Sequence, residues 1–438
     1  MKKTLFYVLS AVWLAGIMPA AAQTAGKRVY VPDDLRHCNL SSDTAQWSWK
    51  RCRQTPDLAI FWEKGFGTDP AKAPDLKGHN MHFDLPNLEK RLETFYHFYR
   101  DTLHFTLPGS KADRYKMMVM VNYNLDGTAY GGTYDNFIGA LWVAPNRIQD
   151  RKLNALAHEL GHSFQMQIAA DSISDTWGGS PFFEMTSQWM LWQVNPDWLT
   201  DENYHYEAFK KLFHKAFLSI DNIYHSPYVL EYWAEKRGRD CIADLYRHGR
   251  RGEDPVMTYQ RLYHVSQSVF CDEMMDYCQH MVGLDFRHAY RETRRYACQL
   301  ITPMRDVRSK GKQWARPDST CVPEDYGFNV VPLSGYRPGS RVSARVMADA
   351  EWQGRPGVSA SWRYGFVAVT ASGRCVYGTP VSAGRASLVL PQEPLRMVGL
   401  VVMGAPREHV MLAGQSVPRI YPYLVKFNGC MAVGEPSR

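Results

Sequence analysis

The sequence predicts an α+β protein: a small sheet leading into a mostly helical region, followed by a C-terminal β-sandwich. Three observations carry this expectation. The runs Tyr115–Val121 (YKMMVMV) and Phe137–Ala144 (FIGALWVA) are short, nearly continuously apolar and bounded by charge, asparagine or proline, as buried strands are. From Asn154 to about Leu300 apolar residues recur at the spacings of three and four that mark helices. Beyond Tyr326 short apolar runs return between turn residues, the cadence of a sandwich of about 110 residues.

Residues 1–22 read as a signal peptide: Lys2 and Lys3, an apolar stretch from Leu5 to Met18, then Ala20, Ala21 and Ala22 before Gln23. The stretch is shorter than the roughly 20 residues a spanning helix needs, so the expectation is export, to the periplasm or outside the cell, with no membrane span. Residues 23–110 form an N-terminal α/β segment. There DLAIFWEKGF (Asp57–Phe66) is a short strand and turn, and Pro86 opens a helix to about Leu103 with Leu88, Leu92 and Phe95 on one face. Residues 111–303 form the domain that carries the motif below. It has two strands separated by a loop containing Gly127, Gly131 and Gly132, then helices near 152–169, 182–194, 204–217, 227–236, 239–248, 268–282 and 286–299. Pro, Gly and charge dominate 304–325, which reads as a linker, and 326–438 is the sandwich, with strands at Arg363–Thr370, Ser387–Leu390, Met397–Met403 and Tyr421–Phe427.

The formal charge of +7 includes Lys2 and Lys3, so the remainder is only moderately basic. Nine Lys or Arg lie between Arg287 and Arg316 against Glu292 and Asp306. Such a run suits an anionic surface or glycan, although a solvated helix face and loop explain it more simply. A nucleic-acid-binding reading rests on this run and the positive balance alone: no helix-turn-helix, zinc-finger or RNP-type signature accompanies it, and the expected export argues against it. The nine cysteines include no Cys-x-x-Cys; in an oxidising compartment Cys38 and Cys52 are the expected disulfide pair.

The chemistry is concentrated in His158-Glu159-Leu160-Gly161-His162. Four residues advance a helix slightly more than one turn, so both imidazoles stand on one face and can share an ion. Glu159 projects about 100° away and suits a base better than a ligand. Leu153, Leu156, Leu160, Phe164 and Ile168 form a stripe opposite the histidines, and packing it into the core aims them at a cleft. A catalytic zinc ion needs a third protein donor and an open position. Glu184, on a helix capped by Ser180 and begun by Pro181, is the preferred candidate. A polar stripe of Glu184, Ser187, Gln188 and Asn195 competes as a plain amphipathic face. Asp171 and Asp175 are runners-up, and His205, His214 and His225 lesser ones.

With these residues in view, the sequence resembles the gluzincin metallopeptidases, whose signature is HExxH with a glutamate on a following helix. Here 21 residues separate His162 from Glu184. The HExGH form looks like the enhancin-type and mucin-degrading branch. The segments DLAIFWEKGFG, AHELGHSFQ and FFEMTSQWM, within residues 55–300, also resemble an uncharacterised family of secreted zincin-like proteins. The resemblance implies a zincin-like catalytic domain in which Phe137–Ala144 is an edge strand that pairs with extended substrate; an ordinary core strand is the competing reading.

The function expected is a zinc metallopeptidase, with His158, His162 and Glu184 holding Zn²⁺, Glu159 as catalytic base and extracellular proteins or glycoproteins as substrate. A second electrophile is sought among Tyr204, His225, Tyr228 and Tyr232. The alternative is a catalytically silent protein of the same shape that binds glycan or protein through its C-terminal sandwich. For that role Trp352, Trp362, Tyr364 and Tyr377 are sugar-stacking candidates that a β core would also explain.

Overall fold

The computed structural model describes residues 26–172, 177, 181–288, 290–309, 312–352, 355–411 and 417–433. The expected signal peptide at 1–22, Asp175 and Ser180 lie outside them. Among the described residues no helix is long and apolar enough to cross a membrane.

The chain is a mixed α+β structure with several sheets. The first sheet comprises β1 (Arg28–Val29), β2 (Cys52–Gln54), β3 (Leu58–Trp62), β4 (Tyr115–Val121), β5 (Ala129–Tyr134) and β6 (Ile138–Val143). Its order is β2-β3-β4-β6-β5, with β1 pairing β4. β3, β4 and β6 run parallel, whereas β2 and β5 are antiparallel edges. The near-continuous apolar content of β3 and β4 follows from this central position, since a strand covered on both faces has no polar face to show. The glycine-rich segment expected as a loop contains the edge strand β5, and Phe137–Ala144 forms the interior strand β6. Gly131 and Gly132 suppressed the strand signal, because glycine is a poor strand former wherever packing does not require it.

The helices are α1 (Asp33–Arg36), α2 (Leu85–Asp101), α3 (Asn154–Ala170), α4 (Pro181–Val194), α5 (Trp198–Asp201), α6 (Asn203–Leu212), α7 (Tyr228–Arg237), α8 (Cys241–His248), α9 (Pro255–Leu262), α10 (Gln267–Gly283) and α11 (Tyr290–Arg294). Asp84 caps α2, accepting from the Asn87 amide at 3.0 Å. α9 went unrecognised in the sequence although Asp254 caps it and Pro255 starts it, and the helix expected over 286–299 is reduced to α11.

The rest of the chain forms β7 (Met304–Ser309), β8 (Lys312–Pro317), β9 (Phe328–Ser334), β10 (Arg341–Ala348), β11 (Trp362–Thr370), β12 (Cys375–Tyr377), β13 (Ala386–Val389), β14 (Leu395–Gly404), β15 (Tyr423–Asn428) and β16 (Met431–Ala432). They make two five-stranded antiparallel sheets, β13-β10-β15-β8-β7 and β12-β11-β14-β9-β16, whose facing side chains share one core. The stretch 304–325, expected as a linker, supplies the hairpin β7–β8 instead. Its strands, MRDVRS and KQWARP, carry charged and polar residues interspersed with single apolar ones, which hid them from an apolar-run criterion.

The second of these sheets is covered on both faces. Phe366 and Ala368 of β11 point into the inter-sheet core, while Val367 and Val369 join the large core of the helical region. Gln279 of α10 donates to the carbonyls of Phe366 and Gly378, each at 3.0 Å, tying helix to sheet. Trp362 and Tyr364, considered as sugar-stacking residues, are core residues. All nine cysteines are free thiols, Cys38 and Cys52 included.

Candidate metal centre

The centre is built on α3, which crosses the sheet beside β5 and β6. Ser163 donates to the Ala140 carbonyl at 2.8 Å and Gln167 accepts from the Gly139 amide at 2.8 Å, pinning the helix to β6. Leu153, Leu156, Leu160, Phe164 and Ile168 are all buried. With that stripe inward, His158, Glu159 and His162 face a cleft of about 460 Å³ whose other walls include Tyr130, Gly131, Phe183, Glu184 and Tyr224.

Two glycines set the approach of neighbouring elements. A Cβ on Gly161 would lie 2.9 Å from Ser187 Oγ, so glycine there lets α4 close on α3 and brings Glu184 over the histidines. A Cβ on Gly131 would lie 1.8 Å from the Glu159 carbonyl oxygen, and the Gly131 amide donates to Glu159 Oε2 at 2.8 Å. Gly131→Ala is therefore expected to push β5 off α3. The cost is about 1–3 kcal/mol, as for an overpacked core, and the Glu159 carboxylate loses its donor. Thermal unfolding checks this, and an unchanged melting temperature would show that β5 does not hold this position.

The three donor atoms form a nearly equilateral triangle. His158 Nε2 lies 3.0 Å from Glu184 Oε2, His162 Nε2 lies 3.2 Å from the same oxygen, and the two nitrogens are 3.1 Å apart. Ligands about 2.0–2.1 Å from a tetrahedral zinc stand roughly 3.3 Å from one another, close to these separations.

The surrounding amides fix what the nitrogens offer. Gln188 Nε2 donates to the Tyr224 carbonyl at 3.2 Å, so Gln188 Oε1, 3.0 Å from His158 Nδ1, is an acceptor and His158 Nδ1 carries a proton. Gln165 Nε2 donates to the Phe183 carbonyl at 3.1 Å, so Gln165 Oε1, 3.1 Å from His162 Nδ1, is likewise an acceptor and His162 Nδ1 carries the proton. Both neutral imidazoles then turn an Nε2 lone pair toward the carboxylate. Three converging lone pairs repel unless a cation or protons sit among them, and this donor set fits a divalent cation.

The charges respond accordingly. Burial works against the charged form of His158, yet its hydrogen bond to Glu184 and the nearby carboxylates outweigh that and raise its pKa. Burial opposes ionisation of Glu184 too, but in the metal-free cleft, with protons in the cation's place on the Nε2 atoms, hydrogen bonds from both imidazoles hold its carboxyl well below the usual range. Glu159 is outside the triangle, and burial raises its pKa.

His158, Glu159, His162 and Glu184, singled out in the sequence, thus meet in one cleft. Asp171 is elsewhere, accepting from Ser110, Lys111 and Gln167. His205 stands one layer back, with Nε2 3.0 Å from Gln188 Nε2, His225 lies behind it, and His214 packs near Glu324. Of the electrophile candidates, Tyr228 and Tyr232 are core residues and Tyr204 is exposed. Tyr224, not considered from sequence, has its ring 6.1 Å from that of His158, and burial together with Glu184 raises its phenol pKa. Gln165 and Gln188 were given no role from the sequence, where the signal for them was spacing alone, three residues after His162 and four after Glu184; Tyr224, in an irregular connection, carries no local signal. A second His–carboxylate cluster, Asp57, Glu93 and His97, is neutralised by Lys27 and Arg100 and is an ion-pair network.

A family model described as a family of unknown function (DUF6055) matches residues 21–434. No curated protein matches the chain. Among solved structures, the ZmpB metallopeptidase from Clostridium perfringens aligns at 14% identity with a TM-score of 0.32, over 66% of this chain and 61% of that one. The chain therefore spans less than two thirds of that protein's length.

Proposed function

The chain belongs to DUF6055, a family of unknown function, and from the geometry of its own cleft we propose that it is an exported zinc-dependent peptidase of the HExxH-plus-glutamate, gluzincin type. The observation that carries this reading is the convergence of His158 Nε2, His162 Nε2 and Glu184 Oε2 within 3.2 Å of one another, with both imidazole tautomers set by glutamines.

His158, His162 and Glu184 hold the ion, and Gln165 and Gln188 orient the two rings. A bound zinc supplies Lewis-acid polarisation of a peptide carbonyl and acidifies a water. Glu159 would take a proton from the attacking water at its carboxylate and return it to the leaving amine; the raised pKa that burial gives it suits a group that must both take and release a proton. The Gly131 amide keeps the carboxylate aimed into the cleft. Tyr224, kept protonated by its raised pKa, donates to the oxygen that develops negative charge. The free edge of β5 pairs with an extended substrate backbone, the role first expected of Phe137–Ala144. An extended protein or glycoprotein outside the cell is the substrate class, and the leader at 1–22 delivers the enzyme there.

Metal content and peptide-library cleavage on the purified chain test this. The expected result is one zinc per chain, with cleavage abolished by a chelator and restored by zinc. A chain that binds no divalent metal, or cleaves equally well after chelation, overturns the assignment.

A further inference from the structure

The basic run between Arg287 and Arg316 does not stay together in space. Arg294 and Arg295 turn to the helical region, where they reach Gly283 and Thr200. Arg305 and Arg316 enter β7 and β8, at one edge of the sheet β13-β10-β15-β8-β7.

The register of that sheet sorts its residues by face. Val342, Ala344 and Val346 of β10, Val425 of β15 and Ala315 of β8 point into the shared core. Directly opposed residues in antiparallel strands share a face. The pairings Val346↔Val425 and Val425↔Ala315 therefore place Arg341 and Arg345, Lys426, Trp314 and Arg316 on the outer face, and Arg305↔Arg316 adds Arg305. Two of these contacts set like charges directly across from each other, Arg345↔Lys426 and Arg305↔Arg316. That arrangement destabilises a sheet on its own. Asp318 pairs with Arg305, and Asp349 and Glu351 with Arg316, but all three acids come from flanking segments. Among the described residues no outward strand position of this sheet holds an Asp or Glu, and Arg345 and Lys426 have no carboxylate within ion-pair distance. Both are exposed. At the β7–β8 end the face continues into a cleft of about 200 Å³ lined by Arg305, Arg316, Ser319, Glu351, Trp352 and Arg355, in which the Arg355 guanidinium lies 4.8 Å over the Trp352 ring.

We propose that this outer sheet face is a docking surface for an acidic polysaccharide, with Arg341, Arg345 and Lys426 meeting its carboxylates or sulfates and Trp314 offering a ring to a sugar. Charge complementarity selects a polyanion, because an anionic ligand relieves the repulsion the register builds in. The strand geometry selects an extended one: Arg341 and Arg345, four residues apart, stand about 13 Å from each other along β10. Single-stranded nucleic acid calls for a series of aromatic platforms, whereas Trp314 is the one aromatic at a described outward strand position. A bilayer surface calls for apolar residues free to insert, and outward-facing Leu424 is buried. This surface is independent of the metal cleft and of the peptidase reading.

The test uses the full chain with heparin fragments and polygalacturonate, and with dextran, single-stranded DNA and phosphatidylglycerol vesicles as comparisons. The expected result is saturable binding to one or both acidic glycans, none to dextran, and an affinity that falls as salt is raised. The double variant Arg345→Glu/Lys426→Glu is expected to bind about tenfold more weakly or worse. It keeps a like-charged cross-strand pair, so the electrostatics within the sheet stay comparable while the sign presented to the ligand reverses, and an unchanged melting temperature confirms its fold. Undiminished glycan binding by that variant overturns the proposal. So does absence of glycan binding by the parent chain, or preferential binding of the DNA or the vesicles.

Discussion

Replacing Glu159 with glutamine is expected to leave zinc binding intact while peptide hydrolysis falls by about 10²–10⁴-fold, the range for losing a positioned proton acceptor. Glu159 is not a corner of the donor triangle; its Oε2 accepts from the Gly131 amide at 2.8 Å, a bond the glutamine oxygen can keep. The substitution therefore removes basicity and little else. Burial raises the pKa of Glu159, which fixes the sign of a second effect. The folded chain binds its proton more tightly than the unfolded chain, so the metal-free protein loses stability as pH rises past the unfolded value. An uncharged amide at this position has no such loss, and the metal-free Glu159→Gln variant is expected to melt at a higher temperature than the metal-free parent at neutral pH. Turnover by the variant equal to that of the parent would remove Glu159 from the mechanism.

The second large effect belongs to Glu184. Glu184→Ala deletes the only anionic corner of the triangle and leaves two nitrogens 3.1 Å apart. Zinc affinity, read by competition with a chromogenic chelator, is expected to fall by more than the roughly 10–100-fold that loss of a supporting hydrogen bond costs. Gln188→Leu, which removes the acceptor on His158 Nδ1 while keeping all three donors, is expected to fall within that smaller range. Comparable losses from the two substitutions would mean that Glu184 is not a ligand. For the parent chain, affinity decreases as pH falls, because protons compete for both imidazoles. In the metal-free state the pair His158–Glu184 has its own pH window. The depressed Glu184 contributes above its unfolded pKa, and the raised His158 contributes until pH passes its folded value. The pair thus stabilises best in mildly acidic solution.

The same residues show what can be read from sequence. His158, Glu159 and His162 were legible because one turn of helix fixes their relation without help from the rest of the chain, and the apolar stripe behind them says which way the helix faces. β3, β4, β11 and β14 were legible because burial on both faces leaves continuous apolar runs. Glu184 was a candidate among several, since nothing within its own helix separates a ligand from a polar surface position. β5 was missed because Gly131 is chosen for its approach to Glu159, not for strand propensity, and β7–β8 because charged residues are interspersed on both faces of its strands.

The sequence alone therefore determined the helical pair of imidazoles, the glutamate between them, and the progression from sheet to helices to a β-rich end, all of which depend on local periodicity. Tertiary structure decided which carboxylate completes the triangle, which glutamines set the tautomers, that Tyr224 overlooks the cleft, and that distant basic residues share one sheet face. Those relations join residues far apart in the chain, and only packing, through contacts as close as those at Gly131 and Gly161, brings them within reach.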